Sequence, residues 1–149
     1  MRFMIIVKAT QASEEGRMPG EALIARMAEY HEALAQAGML LDASGLQPSS
    51  QGWRVRYAGG ECCVVDGPFA ENRELIAGYT LIEADSRETA IEWSRRYPNP
   101  TTDGGDCEIE VRPLMASDDF EAGDAIERFR VLEGELQAKC QDARDPRAS

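Results

Sequence analysis

Residues 64–84 constrain the fold more than any other stretch. The stretch begins with two apolar valines and then turns at residues 66–68, where Asp and Gly tolerate turn geometry and Pro fixes φ. After this turn, large apolar residues occupy both odd and even positions from 75 to 82. Successive residues of a strand point to opposite faces, so the pattern predicts a central strand that is covered on both sides.

Further elements are expected around this strand. The apolar run at residues 3–7 predicts a first strand that is also buried on both faces. A helix is expected from Gly20 or Glu21 to about Ala37, with Gly38 at its C-cap. The remaining patterns predict a second strand from residue 39, a hairpin over 53–65, a helix from about 86 to 97 and a last strand over 107–111.

The order of these elements predicts an α+β fold. Strand, helix and strand come before the hairpin, and strand, helix and strand come after it, which suits an antiparallel ferredoxin-like sheet with both helices on one face. Two helices leave the other face uncovered, although the first and central strands are apolar on both sides. Because a soluble monomer rarely exposes so large an apolar patch, we expect a twofold homodimer.

The pattern changes beyond Leu114, which divides the chain into a domain over residues 1–114 and an extension over 115–149. Asp118 or Asp119 can cap an extra C-terminal helix with a moderate apolar stripe. This helix is expected to strap a partner subunit, to bind another protein or to pack on its own domain. Residues 141–149 are expected to form a mobile tail.

Four segments in a fixed order identify a family resemblance. They are DGPFAENRELIAGY from residue 66, ETAIEW from 88, YP at 97–98 and EIEVRPL from 108, and LDASGLQP at 41–48 fits as well. The first 114 residues closely resemble the YCII-related domain, in the subgroup named after the DGPF tetrapeptide. The resemblance implies a ferredoxin-like sandwich, here with an inserted β-hairpin, that dimerises into an α+β barrel. It implies no agreed reaction, and members of the subgroup tend to accompany extracytoplasmic-function sigma factors.

Charge and hydropathy restrict the partners. The chain has 149 residues and a formal net charge of −11, which argues against nucleic acid and anionic lipid because both require clustered Lys and Arg. Its apolar runs fall short of the ~20 residues that cross a bilayer, and its first residues are typical of a strand rather than a signal peptide. We expect a cytoplasmic protein that binds small molecules or other proteins.

The cysteine and histidine content predicts neither a metal site nor a cofactor. Four cysteines without a CxxC motif and a single histidine make a zinc site improbable. We expect free, buried thiols in a reducing compartment. A glycine-rich phosphate loop and a GxSxG motif are also missing from the sequence, which argues against nucleotide hydrolysis and a serine nucleophile.

Asp66 and His31 are the candidate catalytic residues. Asp66 either acts as a general acid or base at the mouth of a cleft or accepts hydrogen bonds from its own turn. His31 falls in the apolar sector of the first long helix, where it either transfers protons or is a hydrogen-bonded core residue. The resemblance implies a His and Asp pair, for which these two residues are the candidates.

Arg112, Glu110 and Tyr79 are the candidate substrate-binding residues. If their face lines a barrel interior, Arg112 can bind an anionic substrate and Glu110 can orient it. If that face meets solvent, the charges form a solvated ladder. Trp53, Tyr79 and Trp93 are expected in the core more often than as platforms for a ligand. Our first hypothesis is a small-molecule enzyme or binding protein with a cleft between the first helix and the sheet. The alternative is a non-catalytic accessory or regulatory module that acts through protein contacts.

Overall fold

A computed structural model describes residues 1–70, 74–101 and 104–144. The chain forms two compact units, of which the first spans Met1–Leu114 and the second begins at Met115. The predicted α+β class is confirmed, because the first unit combines an antiparallel sheet with helices.

The first unit contains both strands and helices, and a long helix dominates the second. The strands are β1 (Arg2–Lys8), β2 (Leu40–Gly45), β3 (Trp53–Ala58), β4 (Glu61–Asp66), β5 (Ile76–Glu83) and β6 (Ile109–Pro113). The helices are α1 (Gln11–Glu14), α2 (Glu21–Gln36), α3 (Arg87–Arg95) and α4 (Asp124–Arg144). Short 3₁₀ turns occur at Ser49–Gln51 and Ser117–Asp119.

Four strands form the main sheet, in the order β2-β5-β1-β6. All neighbouring strands are antiparallel, and Ile5 of β1 lies opposite Thr80 of β5 on one side and Val111 of β6 on the other. The two strands that the sequence marks as apolar on both faces, β1 and β5, are therefore the two inner strands. The prediction of β5 as a central strand is confirmed.

One face of this sheet builds the core together with α2. Side chains of β1 and β5 pack there against α2, and the buried cluster comprises Phe3, Ile5, Tyr30, Leu34, Met39, Ile82, Ala84 and Ala90. The helix begins after Gly20 and ends before Gly38, whose φ of 71° is the left-handed conformation that glycine adopts most easily. Both predicted ends of this helix are confirmed to within a residue.

The opposite face of the sheet carries a second apolar set. Because side chains alternate along a strand, Met4 and Ile6 of β1 and Tyr79 and Leu81 of β5 point away from the core cluster. Ile6 is 9% exposed, and the other three are half-buried. We call these four residues the outer sheet face.

The β3–β4 hairpin forms a separate two-stranded sheet. Its turn is made by Gly59 and Gly60, whose φ values of 62° and 83° suit glycine. Two expectations are wrong here: Trp53 is 66% exposed instead of lying in the core, and Cys62 and Cys63 are exposed thiols instead of buried ones. The physical reason is that β3 and β4 are exposed along almost their whole length, on both faces of the hairpin.

The second unit contains the 3₁₀ turn at residues 117–119 and the helix α4. The predicted helix start at Asp118 or Asp119 is wrong, because the Asp119 carboxylate accepts a hydrogen bond from the Ala116 N–H at 2.7 Å and belongs to the turn. Arg130 binds Asp118 at 2.8 Å. The tail expected from residue 141 is helical up to Arg144, and its remaining five residues lie outside the described residues.

Candidate functional site

An open cleft of about 570 Å³ lies where β1 ends and β5 begins, which is a volume typical of small-molecule sites. Val7, Ala77 and Pro100 give it apolar walls. Its polar lining is made by Lys8, Thr10, Ser13, Asp106, Cys107 and Glu108. We call this space the β1-end cleft.

The hydroxyl groups of the cleft are held in place by a local helix cap. Thr10 Oγ1 accepts from the Ser13 N–H at 3.2 Å, and Ser13 Oγ donates to the Thr10 carbonyl at 2.9 Å. The strand pairing continues into this cap, since the Ala9 N–H donates to the Leu75 carbonyl at 2.9 Å. This wall is therefore fixed before any ligand arrives.

Lys8 joins the cleft to two of the predicted substrate-binding residues. Its Nζ donates a hydrogen bond to Glu110 Oε2, and Arg112 Nε lies 3.8 Å from Glu110 Oε1. The hydrogen bond and the charge of Lys8 hold the pKa of Glu110 below its usual value. Glu110 and Arg112 thus lie close to each other. Among the described residues, Lys8 is the only lysine that lines the cleft, and Glu110 holds its ammonium group in place.

The far wall of the cleft is organised by Asn99. Its Oδ1 accepts from the Cys107 thiol at 3.1 Å and from the Thr101 N–H at 2.9 Å, while its Nδ2 donates to the Gly105 carbonyl at 3.0 Å. Cys107 is consequently an exposed, free thiol that faces the cleft with a fixed partner.

Tyr79 lies apart from Glu110 and Arg112, because β1 separates their strands. Ile6 of β1 is opposite Tyr79 on one side and Glu110 on the other. The Tyr79 hydroxyl donates to Asp42 Oδ2 at 2.7 Å, and this hydrogen bond raises the pKa of Tyr79. Tyr79 therefore belongs to the outer sheet face rather than to the cleft.

His31 lies on the other side of the sheet, between α2 and β5. Its Nδ1 is 2.7 Å from the Met27 carbonyl oxygen, and its Nε2 is 2.9 Å from Thr80 Oγ1. Because a carbonyl only accepts, Nδ1 carries a hydrogen. The Tyr30 and Tyr97 rings lie 5.5 Å and 6.5 Å from the imidazole, centroid to centroid. His31 thus bonds to its own helix through Nδ1 and links that helix to β5 through Nε2.

Asp66 is exposed at the end of β4, opposite Trp53. Within residues 1–70, 74–101 and 104–144, the Asp66 carboxylate makes no hydrogen bond to His31. The imidazole of His31 bonds to Met27 and Thr80 instead. Asp66 ends β4 of the two-stranded sheet, whereas His31 lies in α2 and bonds to Thr80 of the main sheet. The structure does not bring them together.

The DGPF segment that contains Asp66 fastens the base of the hairpin. A Cβ on Gly67 would lie 1.9 Å from the Ser49 carbonyl oxygen, so only glycine fits. The Phe69 N–H donates to Ser49 Oγ at 3.1 Å, and the Ser49 N–H donates to Glu14 Oε2 at 3.1 Å. The Arg54 guanidinium lies 4.0 Å above the Phe69 ring. We call this set of contacts the Ser49 lock.

Sequence reasoning missed Lys8, Thr80 and Ser49. Thr80 is recognisable in retrospect, because alternate residues of β5 face the helix and Thr80 is the polar one among them, between Gly78 and Ile82. Lys8 is the first charge after the apolar run of β1. Ser49 carries no such signal, because its partners lie 35 and 20 residues away.

The described part of the chain contains neither a cluster of metal-binding side chains nor a helix that could span a membrane. Among these residues, three or more His, Cys, Asp or Glu side chains nowhere gather in a way that could hold a metal ion. The described helices also lack the length and apolar character that are needed to span a membrane.

Comparison with known proteins settles the family. The sequence profile of the YCII-related domain matches residues 1–115. The chain belongs to the YCII-related domain family. An uncharacterised protein from Rhizobium meliloti (strain 1021) is 32% identical over 94 residues, which is 63% of this chain and 74% of that protein. The predicted family is confirmed, and this YCII-related domain contains the β1-end cleft.

A solved structure is also similar to this chain. It is 5-chloro-2-hydroxyhydroquinone dehydrochlorinase from Burkholderia phenoliruptrix AC1100 in complex with 2,5-dihydroxybenzoquinone. The similarity covers 81% of this chain and 100% of that chain, with 15% identity and a TM-score of 0.43.

Proposed function

We propose that this YCII-related protein binds a small polar molecule in the β1-end cleft. The observation that carries the proposal is the combination of a space of about 570 Å³ with hydroxyl, ammonium, carboxylate and thiol groups on its walls. Thr10, Ser13 and Cys107 each have fixed hydrogen-bond partners, so these groups are oriented in the absence of a ligand.

The charges of the cleft favour a neutral or cationic ligand. Asp106 and Glu108 outnumber Lys8, and the charge of Lys8 is further offset by Glu110. An anion would meet a net negative wall, whereas hydroxyl or amino groups find acceptors. Glu110 acts in this proposal by positioning Lys8, and Arg112 extends the charged rim beyond it.

Binding is better supported than proton transfer by Asp66 and His31. Both ring nitrogens of His31 are engaged by Met27 and Thr80, and Asp66 is exposed at the end of the hairpin. His31 would have to break its bond to Thr80 before it could exchange a proton with a substrate. We therefore assign His31 to the linkage between α2 and β5.

The finer family features belong to the same proposal. The Ser49 lock, which uses Gly67 and Phe69, supports membership of the DGPF subgroup. The strand order β2-β5-β1-β6 supports a ferredoxin-like unit, and the outer sheet face supports a twofold dimer that closes an α+β barrel. The exposed free thiols of Cys62, Cys63 and Cys107 suit a reducing, cytoplasmic location.

Thermal-shift screening tests the binding proposal. The wild type and the double variant Asp106→Asn/Glu108→Gln would be screened against neutral, cationic and anionic polar metabolites. We expect cationic compounds to stabilise the wild type, and we expect their shifts to be lost in the double variant. Glu29→Gln/Glu32→Gln removes the same charge from the exposed side of α2 and is the matched control.

The outcome of the screen distinguishes binding in the β1-end cleft from binding elsewhere and from the alternative function. Shifts that persist in the cleft variant would place the ligand elsewhere and overturn this site. A wild type that none of the compounds stabilises would favour the alternative function, an accessory module that acts through protein contacts. That alternative is supported by one observation, the exposed apolar row of α4, in which Phe129, Leu132 and Leu136 are 61%, 51% and 61% exposed.

A further inference from the structure

Helix α4 carries a narrow apolar row that is open to solvent. Four apolar residues lie within about 60° of one another around the helix, because each residue of a helix turns by about 100°. They are Ala125, Phe129, Leu132 and Leu136. The three large side chains among them are each more than half exposed. We call these four residues the α4 seam.

The rest of α4 does not explain why this helix forms. Most helical stability in proteins comes from packing of the apolar face, and Gly134 near the middle of α4 weakens the helix further. Among the described residues, the ion pair of Arg130 with Asp118 joins α4 to the 3₁₀ turn before it, and Arg130 lies on a side of the helix away from the seam. The α4 seam therefore remains available for a partner.

We infer that the α4 seam packs against the same seam of a second copy of this chain, as a short parallel coiled coil. The inference rests on the proposed twofold dimer and adds a contact between its two chains. In a parallel pair the twofold axis runs along the helices, so each seam residue meets its own counterpart. So short a seam pairs weakly between separate molecules, but two chains that are already joined hold their helices at a high effective concentration.

The spacing of the seam is the heptad spacing of coiled coils. Its members are separated by intervals of four, three and four residues, so Phe129 and Leu136 take a positions and the other two take d positions. In the parallel arrangement each of the three large side chains fills a layer with its counterpart. In an antiparallel pair that aligns Phe129 with Leu132, the large Leu136 would face the small Ala125. The parallel arrangement therefore packs the large side chains better.

Charges beside the seam support a second copy as the partner. Arg128 takes a g position, and Glu133, five residues later, takes the following e position. These positions of opposite chains are adjacent in a parallel pair, so symmetry gives two attractive contacts of Arg128 with Glu133 of the other copy. Helix α4 contains five carboxylates and four cations, which makes it nearly neutral within a chain of net charge −11. Two copies that otherwise repel each other can therefore meet at this helix.

Disulfide trapping tests the pairing directly. In a full-length chain whose four cysteines are replaced by serine, Leu136→Cys places a thiol on the seam. Gln137→Cys is the matched control, because it places the thiol about 100° away around the helix. A disulfide requires Cα atoms within about 7 Å, which the parallel seam provides for residue 136 and not for residue 137. We expect Leu136→Cys to form covalent dimers under mild oxidation, and Gln137→Cys to form about fivefold less or fewer.

Sedimentation equilibrium tests the same contact without introduced cysteines. Leu132→Glu places a charge on the seam, and the matched control Val131→Glu places it on a neighbouring residue that is similarly exposed but lies outside the seam. We expect Leu132→Glu to raise the dimer dissociation constant by about tenfold or more, and Val131→Glu to change it by less than about twofold. Far-UV circular dichroism checks that both variants are folded.

The outcomes distinguish this inference from the twofold dimer beneath it. A dimer in which Leu136→Cys crosslinks no more than Gln137→Cys overturns the α4 pairing and leaves the twofold dimer standing. The same conclusion follows if Leu132→Glu and Val131→Glu weaken the dimer equally or leave it unchanged. A wild type that sediments as a monomer at all concentrations overturns both. None of these results bears on ligand binding in the β1-end cleft, which the thermal-shift screen tests separately.

Discussion

The main sheet and the β3–β4 hairpin are built from strands of similar length and by the same antiparallel pairing, but only the sheet has an interior. Ile82 of β5 is fully buried, whereas Val64 of β4 is 66% exposed. The difference lies in the next element along the chain. β5 leads into α3, and β1 leads through the short α1 into α2, and both of these longer helices pack on the sheet, whereas β3 leads into a tight turn. A strand therefore becomes core only when the chain supplies a cover.

The largest expected effect of this difference is on stability. Ile82→Ala is expected to lower the free energy of unfolding by about 2–5 kcal/mol, because it leaves a cavity in the packed core. Val64→Ala is expected to cost less than about 1 kcal/mol when the protein is dilute, because its side chain is already solvated. Urea unfolding followed by far-UV circular dichroism, at two protein concentrations, measures both.

Measurement at two protein concentrations adds a second test of the difference between Ile82→Ala and Val64→Ala. The loss in Ile82→Ala should be the same at both concentrations, since the contact lies within one chain. The loss in Val64→Ala should stay below about 1 kcal/mol at both concentrations, because the side chain is 66% exposed. Equal losses for the two variants would show that the hairpin is as much a part of the core as β5.

Local patterns explain which parts of the fold are predictable. The start of α2 at Glu21, its end before Gly38 and the central position of β5 can be derived from caps and periodicity within a few residues. The exposure of Trp53 and Cys62 is not predictable in this way. Alternation tells which residues share a face, but it does not tell whether anything covers that face.

The candidate site is less predictable than the fold for a related reason. Glu110 and Arg112 stand out because charges alternate along β6, but Lys8, which Glu110 positions, lies 102 residues away in sequence. The helical pattern places His31 toward the core, yet its partner Thr80 comes from a strand 49 residues later. Contacts of this kind depend on strand register, which a single sequence does not specify.

Gly67 tests how firmly the hairpin is fastened to the rest of the unit. Gly67→Ala is expected to destabilise the protein by about 1–3 kcal/mol, because its Cβ would overlap the Ser49 carbonyl oxygen. Gly52→Ala is the matched control, since its Cβ would meet the same oxygen at 3.7 Å, which is ordinary contact, and its φ of −115° suits alanine. Thermal unfolding of both variants gives the difference, and equal melting temperatures would refute the Ser49 lock.

The smallest expected effect concerns Tyr30, a buried tyrosine of α2, at alkaline pH. Burial raises the pKa of Tyr30 and the nearby Tyr97 adds to the rise, while Arg96 opposes it. A tyrosine whose folded pKa is raised contributes stability below its unfolded value of about 10, and this contribution is lost as the pH rises further. Tyr30→Phe should cost about 1 kcal/mol at neutral pH through its lost bond to the Trp93 carbonyl, and urea unfolding should show this deficit shrinking above about pH 10. A deficit for Tyr30→Phe that stays constant across this pH range would contradict the assignment.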